Sequence, residues 1–492
     1  MSALPHYRMF IDGAWTDGSD GQTMATQNPA DGTDWARFAC ASAADVDRAV
    51  AAARRALEDP AWRDMTQTAR GKLLYRLADL VSEHAQALGR VETVDSGKLL
   101  AETSAQTGYV ADYYRYYAGL ADKLEGAVLP IDKPDMHVFT RRAPIGVVAA
   151  VVPWNAQMFL TATKLGPALA AGCTVVLKAS EVAPTPLLDF AKLIEMAGFP
   201  PGVVSVITGD AENCAVPLTR HSEVDRIAFT GGPETARHVV RNSAENFAVT
   251  TLELGGKSPI LVFDDADLDG AVNGLIAGNF GASGQSCVAG SRGLVQRGVF
   301  DEVLARLKAR TAEIVVGDPL DPATHVGPLC TQAQIARIGD VLAKAQAQGA
   351  EIHAGGAPLE RPGNFMPPTL VTCTDPQTET LQTEMFGPVM SLMPFESEEE
   401  ALTLANGSRF GLGSGVFTQN VSRAHRVSGR LKAGICWVNT YRAISPIAPF
   451  GGFNQSGYGR EAGLEAILDY TRTKTTWINT SDTPMANPFV MR

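Results

Sequence analysis

One cysteine, Cys287, closes the run Phe280-Gly281-Ala282-Ser283-Gly284-Gln285-Ser286-Cys287, and Glu253 lies 34 residues earlier, within Leu252-Glu253-Leu254-Gly255-Gly256-Lys257. A thiolate adds to a carbonyl carbon far better than a hydroxyl does. A carboxylate beside it can deprotonate water and can help to activate the thiol. The pair can therefore form a thioester and then hydrolyse it. Free cysteines more often act as small buried hydrophobes, and Cys40, Cys173, Cys214, Cys330, Cys373 and Cys436 fit that role. The glycine-rich, polar approach to Cys287 is not a core pattern. Asn155, in Pro153-Trp154-Asn155 after an apolar run, offers an amide that can stabilise an oxyanion together with the Cys287 N–H. On its own it reads better as a turn asparagine at the end of a strand.

These groups need strand ends and loops to hold them, and the chain supplies an alternation of helical and apolar-strand signals that reads as α/β. Val46, Ala49, Val50, Ala53 and Leu57 recur at helical spacing, with Ser42 placed as N-cap. Short Val/Ile-rich runs at 145–152, 174–178, 203–208, 226–229 and 260–263 have the pattern of buried parallel strands. A second set follows Cys287, including 293–296 and 434–438. The segment 128–142 is polar and alternating and predicts a projecting hairpin; 470–478 is strand-like. Gly231 and Gly232 follow the strand 226–229 and open a helix, whose free N-terminal amides can hold a pyrophosphate. There is no intact G-x-G-x-x-G after a strand.

Composition sets the outer limits. At 492 residues the chain holds more than one domain, and 45% hydrophobic with 19% charged residues is a globular composition. The net charge of −11 comes without any block of like charge, which gives no footprint for a nucleic-acid partner. The longest apolar stretch, Ala143 to Trp154, is too short to span a bilayer, and Met1 to Phe10 lacks the apolar core of a signal peptide. Seven cysteines, an odd number without a CxxC, point to a reducing compartment and hence the cytoplasm. The eight histidines show no metal-ligand spacing, and no G-x-S-x-G elbow occurs.

The motifs resemble those of the NAD(P)-dependent aldehyde dehydrogenase superfamily. Phe280, Gly284, Gln285 and Cys287 match its Phe-x-x-x-Gly-Gln-x-Cys, and residues 252–259 match its Leu-Glu-Leu-Gly-Gly-Lys-x-Pro. The resemblance runs from Phe10-Ile11-Asp12-Gly13 to the C-terminal strand. It implies a Rossmann-type cofactor domain (1–124 and 143–254), an α/β catalytic domain (255–466) and a small β oligomerisation unit (125–142 and 467–492). It implies that Cys287 is the nucleophile, Asn155 the oxyanion donor and Glu253 the base that activates water. Trp154, Lys178, Glu181, Gly231, Gly232, Leu254 and Glu384 would hold the dinucleotide, with Phe386 packing against it. Glu181 in Lys178-Ala179-Ser180-Glu181 favours a ribose hydroxyl and repels a 2′-phosphate, so NAD is expected over NADP. Gly232 stands where the family's Phe-Thr-Gly-Ser run carries serine.

Two further departures bear on chemistry. Lys164 matches a buried lysine of the family's proton relay, but its glutamate partner, sought four residues after Arg460, is Leu464. Ala156, Thr163 and Gly281 replace bulky residues of fatty-aldehyde tunnels, which predicts a wider, polar pocket lined by Tyr109, Tyr113, Phe159, Arg442, Ile444 and Phe450. The expected activity is NAD-dependent oxidation of a small-molecule aldehyde to an acid, on a polar or bulky semialdehyde or lactol, by a homodimer or homotetramer with no membrane or nucleic-acid partner. Transfer of the acyl group to coenzyme A and a non-catalytic binding role are the alternatives; the presence of Glu253 and of every catalytic side chain weighs against both.

Overall fold

A computed structural model describes residues 4–485 and 487–490. Its first large sheet has eight strands, in the spatial order Gly457–Tyr458, Val249–Leu254, Arg226–Gly231, Val147–Val151, Thr174–Lys178, Val204–Ile207, Met9–Ile11 and Ala14–Thr16. The five central members, from Val249–Leu254 to Val204–Ile207, are mutually parallel. Strand Val147–Val151 reads Val-Val-Ala-Ala-Val and is buried throughout. Alternate residues serve different cores. Val148 and Ala150 pack into the larger core with Leu165 and Leu169, whereas Val147, Ala149 and Val151 join Val46, Ala49, Val50 and Ala53 on the opposite face. That two-sided burial is why these strands carry no polar alternation.

Helix Ala43–Glu58 starts where expected. Ser42 Oγ accepts from the Asp45 N–H and the Asp45 carboxylate accepts from the Ser42 N–H, a reciprocal cap that stabilises the helix by about 1 kcal/mol. The strand positions also follow the sequence pattern. Thr174–Lys178 is as expected, and Arg226–Gly231 runs two residues further than the apolar run suggests.

From Val147–Val151 the chain lays down two strands on one side and then crosses to lay two on the other. The loops after Val147–Val151 and Arg226–Gly231 therefore diverge at a topological switch point, the place where open α/β sheets bind ligands. The second sheet has seven strands, Glu351–Ala354, Thr369–Thr372, Val389–Phe395, Arg292–Gln296, Pro259–Val262, Gly413–Phe417 and Ile435–Val438, parallel except for its first edge.

Strand Met136–Pro144 pairs along its full nine residues with the C-terminal strand Thr471–Asn479. The expected hairpin of 128–142 is present but short: the Leu129 N–H donates to the Val138 carbonyl and the Thr140 N–H to the Ala127 carbonyl. The first arm contributes a single bridge, Val128 to Phe139. Pro130 and Pro134 lack the N–H that a ladder requires, so the long partner comes from the far end of the chain. Among the described residues no helix is long and apolar enough to cross a membrane.

Candidate active site

Cys287 follows a tight loop, Gly281–Gly284, in which Ala282 and Ser283 hold left-handed backbone at φ 52° and 53°. Gly284 completes it at φ 72°, and a Cβ there would strike the Gly387 carbonyl, so only glycine fits. The loop is pinned from the side. Ser283 Oγ donates to the Gly327 carbonyl at 3.0 Å, and Gln285 Oε1 accepts from the Cys330 N–H at 2.9 Å. Asn155 Nδ2 donates to the Gln285 carbonyl at 3.1 Å, which holds the amide beside the cysteine and leaves its second N–H for another acceptor. Burial, then the negative charges of Glu253 and Glu384, push the Cys287 thiol up to about 12. At rest it is a thiol, and a base must take its proton.

Glu253 sits at the C-terminal end of strand Val249–Leu254 and lines the same cavity as Cys287. It is 2% exposed, and neither carboxylate oxygen has a hydrogen-bond partner. Burial first, and then the charge of Glu461, hold its carboxyl well above the usual range. Behind it lies a buried pair. Lys164 Nζ contacts Glu461 Oε1 and donates to Thr230 Oγ1 at 2.6 Å. This corrects the expectation that the glutamate of the lysine relay is missing. The partner is Glu461, next to Arg460, whereas Leu464 is 53% exposed on the first turn of helix Gly463–Asp469. Left-handed Ala462 (φ 59°) separates the two, so Glu461 turns inward and Leu464 outward.

Two cavities meet at Cys287, Asn155 and Leu160. One, of about 220 Å³, is lined by Trp154, Gly231, Gly232, Glu253, Leu254, Glu384 and Phe386. Trp154 and Phe386 cross edge to face at 5.4 Å. Glu384 Oε1 accepts from the Gly256 N–H at 3.0 Å, and burial pushes its carboxyl up to about 7. This cavity shares Trp154, Gly231 and Gly232 with a third, of about 580 Å³, that opens over the switch point and takes in Lys178 and Glu181. Lys178 Nζ and Glu181 Oε2 pair at 2.6 Å. Helix Pro233–Ser243 begins here with Gly232 as N-cap and no side-chain cap bond, leaving its first amides free. The donors, the carboxylate and the room suit a dinucleotide lying along the strand ends.

The other cavity at Cys287, of about 290 Å³, is lined by Ala156, Phe159, Ala282, Val288, Ile444 and Phe450, with Lys98, Glu102, Gln106, Gln285, Ser286 and Arg442 among its polar members. Four of the six residues expected there line it. Tyr109 and Tyr113 do not. Tyr113 is 1% exposed and stacks edge-on behind Phe159, and Tyr109 stacks on Tyr113 while donating to the Ile444 carbonyl at 3.0 Å. They back the wall instead of forming it. Gly281 does not widen the pocket either, because the Arg442 guanidinium fills the space its side chain would take. Thr163 is buried and faces Glu461. Lys98, Glu102 and Gln106 escaped the sequence reading. Glu102 and Gln106 lie four residues apart on one face of helix Leu100–Leu120, the signal that could have found them, and Lys98, just before the N-cap Leu99, reaches Gln106 Oε1 at 2.8 Å.

Comparison with known proteins gives a consistent picture. The model of the aldehyde dehydrogenase family matches residues 15–476. The chain is 53% identical over 490 residues to (Z)-2-((N-methylformamido)methylene)-5-hydroxybutyrolactone dehydrogenase of Acinetobacter baylyi, covering 99% of this chain and 100% of that one. It is 41% identical to a betaine aldehyde dehydrogenase of Rhizobium leguminosarum, over 97% and 98% of the two chains. Among solved structures, betaine aldehyde dehydrogenase of Staphylococcus aureus in complex with NAD+ superposes with a TM-score of 0.96 at 37% identity, covering 99% of this chain and 97% of that one.

Proposed function

The chain belongs to the aldehyde dehydrogenase family, and from that premise we propose that it oxidises a semialdehyde or its cyclic lactol form to a carboxylate with NAD. The observation that carries this reading is the meeting of two cavities at one thiol, with Glu253 and Asn155 in reach of the same point. Trp154, Lys178, Glu181, Gly231, Gly232, Leu254, Glu384 and Phe386 are the residues that would hold the dinucleotide. When bound, its nicotinamide supplies the acceptor for the two electrons of aldehyde oxidation. The Glu181 carboxylate favours NAD over NADP by repelling a 2′-phosphate.

Cys287 adds to the aldehyde carbon after its proton passes to Glu253, and the carbonyl oxygen takes up negative charge. The free N–H of the Asn155 amide stabilises that charge. Oxidation leaves an acyl group on Cys287. Once Glu253 has passed that first proton on to solvent, it takes a proton from water as the water oxygen bonds to the acyl carbon; the carbon–sulfur bond breaks, the acid leaves, and the Cys287 sulfur departs as thiolate, free to take a proton again. Two unpartnered carboxylate oxygens on Glu253 suit that task, since nothing in the fold competes for them.

The substrate class rests on the cavity and on the named relative. A 5-hydroxy-γ-lactone is the ring-closed form of a 4-oxo carboxylic acid, and opening it frees an aldehyde and a carboxylate. Arg442 supplies a cation to this cavity, while Lys98 is already paired with the buried Glu92 at 3.1 Å. The test is the rate of NADH formation with 4-oxo carboxylates and their lactols against straight-chain alkanals, with the acid identified by mass spectrometry in the absence of coenzyme A. A preference for long alkanals, or a strict need for coenzyme A, overturns the reading.

The same proposal includes self-association and a cytoplasmic setting. The sheet of Met136–Pro144 and Thr471–Asn479 has only two strands, too few to be stable in isolation, and leaves Trp477 57% exposed. Light scattering on the purified protein gives the number of copies. All seven cysteines are free thiols, which suits a reducing compartment.

A further inference from the structure

Thr163 lies on helix Gln157–Ala171, directly before Lys164, and is 2% exposed. A buried helix position of this kind ordinarily takes an aliphatic residue, and valine has the same shape. Here the Oγ1 of Thr163 stands 2.7 Å from Glu461 Oε2 and 3.1 Å from the Leu160 carbonyl within its own helix. A hydroxyl has one proton to give. The shorter contact to a charged acceptor takes it, because charge-assisted bonds are the stronger kind. Lys164 meets the other oxygen, Oε1. Two consecutive residues of one helix thus grip both oxygens of a carboxylate that has almost no access to water.

We propose that Thr163 is a positioning residue for thioester hydrolysis, holding Glu461 in its Lys164-facing arrangement so that the proton collected by Glu253 can leave. This rests on the reading of Glu253 as the base. The water proton taken by Glu253 must depart before the next turnover, and the Lys164–Glu461 pair is joined to Glu253 through Thr230, which accepts from Lys164 Nζ at 2.6 Å and is the register partner of Glu253 on the neighbouring strand. The other titratable and charged groups whose electrostatics reach this cluster are Lys164 and Arg460, which favour the Glu253 anion, and Tyr113, Tyr117 and Tyr470, which burial keeps neutral. None of the three tyrosines donates a hydrogen bond to Glu461; Tyr117 donates to the Gly463 carbonyl at 3.2 Å. The Thr163 hydroxyl is therefore the neutral donor on this carboxylate that a substitution can remove without touching a charge.

The experiment compares Thr163→Val with Thr163→Ser, in pre-steady-state NADH formation and in the steady rate that follows. In Thr163→Val the burst is retained and the following steady rate falls roughly tenfold or more, as expected for losing one hydrogen bond to a charged group. Thr163→Ser restores the steady rate. Equal damage in the valine and serine variants would assign Thr163 to packing and overturn the proposal, as would loss of the burst together with the steady rate in the valine variant. If Thr163→Val does not fold, Thr163→Ala takes its place. In the background of Glu461→Gln, removing the hydroxyl should cost no more than about twofold further; a full independent loss there also overturns it. A Glu253→Gln enzyme that still deacylates normally would instead remove the reading of Glu253, whatever Thr163 does.

Discussion

On the dinucleotide side of Cys287 the floor of the wall is strand ends: Gly231, Gly232, Leu254 and Gly255 end or directly follow two neighbouring parallel strands, and Trp154, Glu253, Glu384 and Phe386 add their side chains to it. On the opposite side it is side chains drawn from separate segments, with Lys98, Glu102 and Gln106 from around one helix start, Ala156 and Phe159 from another, and Arg442, Ile444 and Phe450 from loops near the second sheet. A wall of strand ends is fixed by the sheet and serves any member of a fold. A wall of side chains is free to vary without unravelling the scaffold, and on the function proposed above it sets the choice of aldehyde. The two sides should respond differently to substitution, and the shared thiol should respond most of all.

Replacing Cys287 by alanine removes the nucleophile common to both cavities. NADH formation should fall by at least about 10⁴-fold, while binding of NAD measured by fluorescence titration changes little. Retained oxidation in that variant would break the idea that one thiol joins the two sides. Glu253→Gln is next in size. A general base contributes about 10²- to 10⁴-fold, so the variant should form its first NADH per site more slowly, for want of a base on the thiol, and then stall on the acyl-enzyme. Because the Glu253 carboxyl is held above its ordinary range and the working form is the anion, kcat in the unsubstituted enzyme should rise with pH along that limb and fall as pH drops through it. The glutamine variant should lose the limb.

The two sides also differ in how far the sequence discloses them. Cys287, Glu253, Asn155, Lys178, Glu181 and Glu384 are found from the chain because each lies in a short run whose members are neighbours both in sequence and in space. The central strands are found because burial on both faces writes them as unbroken apolar runs. The polar lining of the other cavity has no such run. Glu102 shows no sign in the sequence that its Oε1 accepts from the Ala282 N–H at 2.8 Å, 180 residues away. Glu461 was missed for a different reason. One left-handed residue, Ala462, resets the phase between the Phe450–Glu461 bridge and the helix that follows, so counting along the chain points to Leu464. Gly281 misleads similarly: a missing side chain suggests empty space, and the structure fills it with a guanidinium from Arg442.

That guanidinium gives the third prediction. Arg442 donates to the Ala277 carbonyl at 3.2 Å and keeps further N–H groups facing the cavity. Arg442→Ala should lower kcat/KM for a 4-oxo carboxylate by roughly 10- to 100-fold, the value of one charge-assisted hydrogen bond. For propanal, which has no carboxylate to lose, the change should be much smaller. Equal losses on both substrates would show that Arg442 shapes the wall and does not select the substrate.

The smallest effect belongs to the dinucleotide side and asks whether its backbone wall has room for one more side-chain donor. Gly232 has extended backbone (φ −77°, ψ 150°), a conformation open to any residue, and a Cβ there meets nothing within 4 Å. Gly232→Ser therefore introduces a hydroxyl without strain, at the N-cap of helix Pro233–Ser243. That hydroxyl has two uses. Donated to a phosphate oxygen, it should lower KM for NAD by about threefold to tenfold, the worth of a single hydrogen bond. Turned back as a cap, it would satisfy one of the helix amides and stabilise the helix by about 1 kcal/mol or less relative to glycine, while withdrawing that amide from the phosphate. The charged acceptor is the stronger competitor, so the fall in KM is the expected result. A rise in KM together with a higher melting temperature of the free enzyme would mean that capping wins, and that glycine at this position keeps the helix amides available for the cofactor.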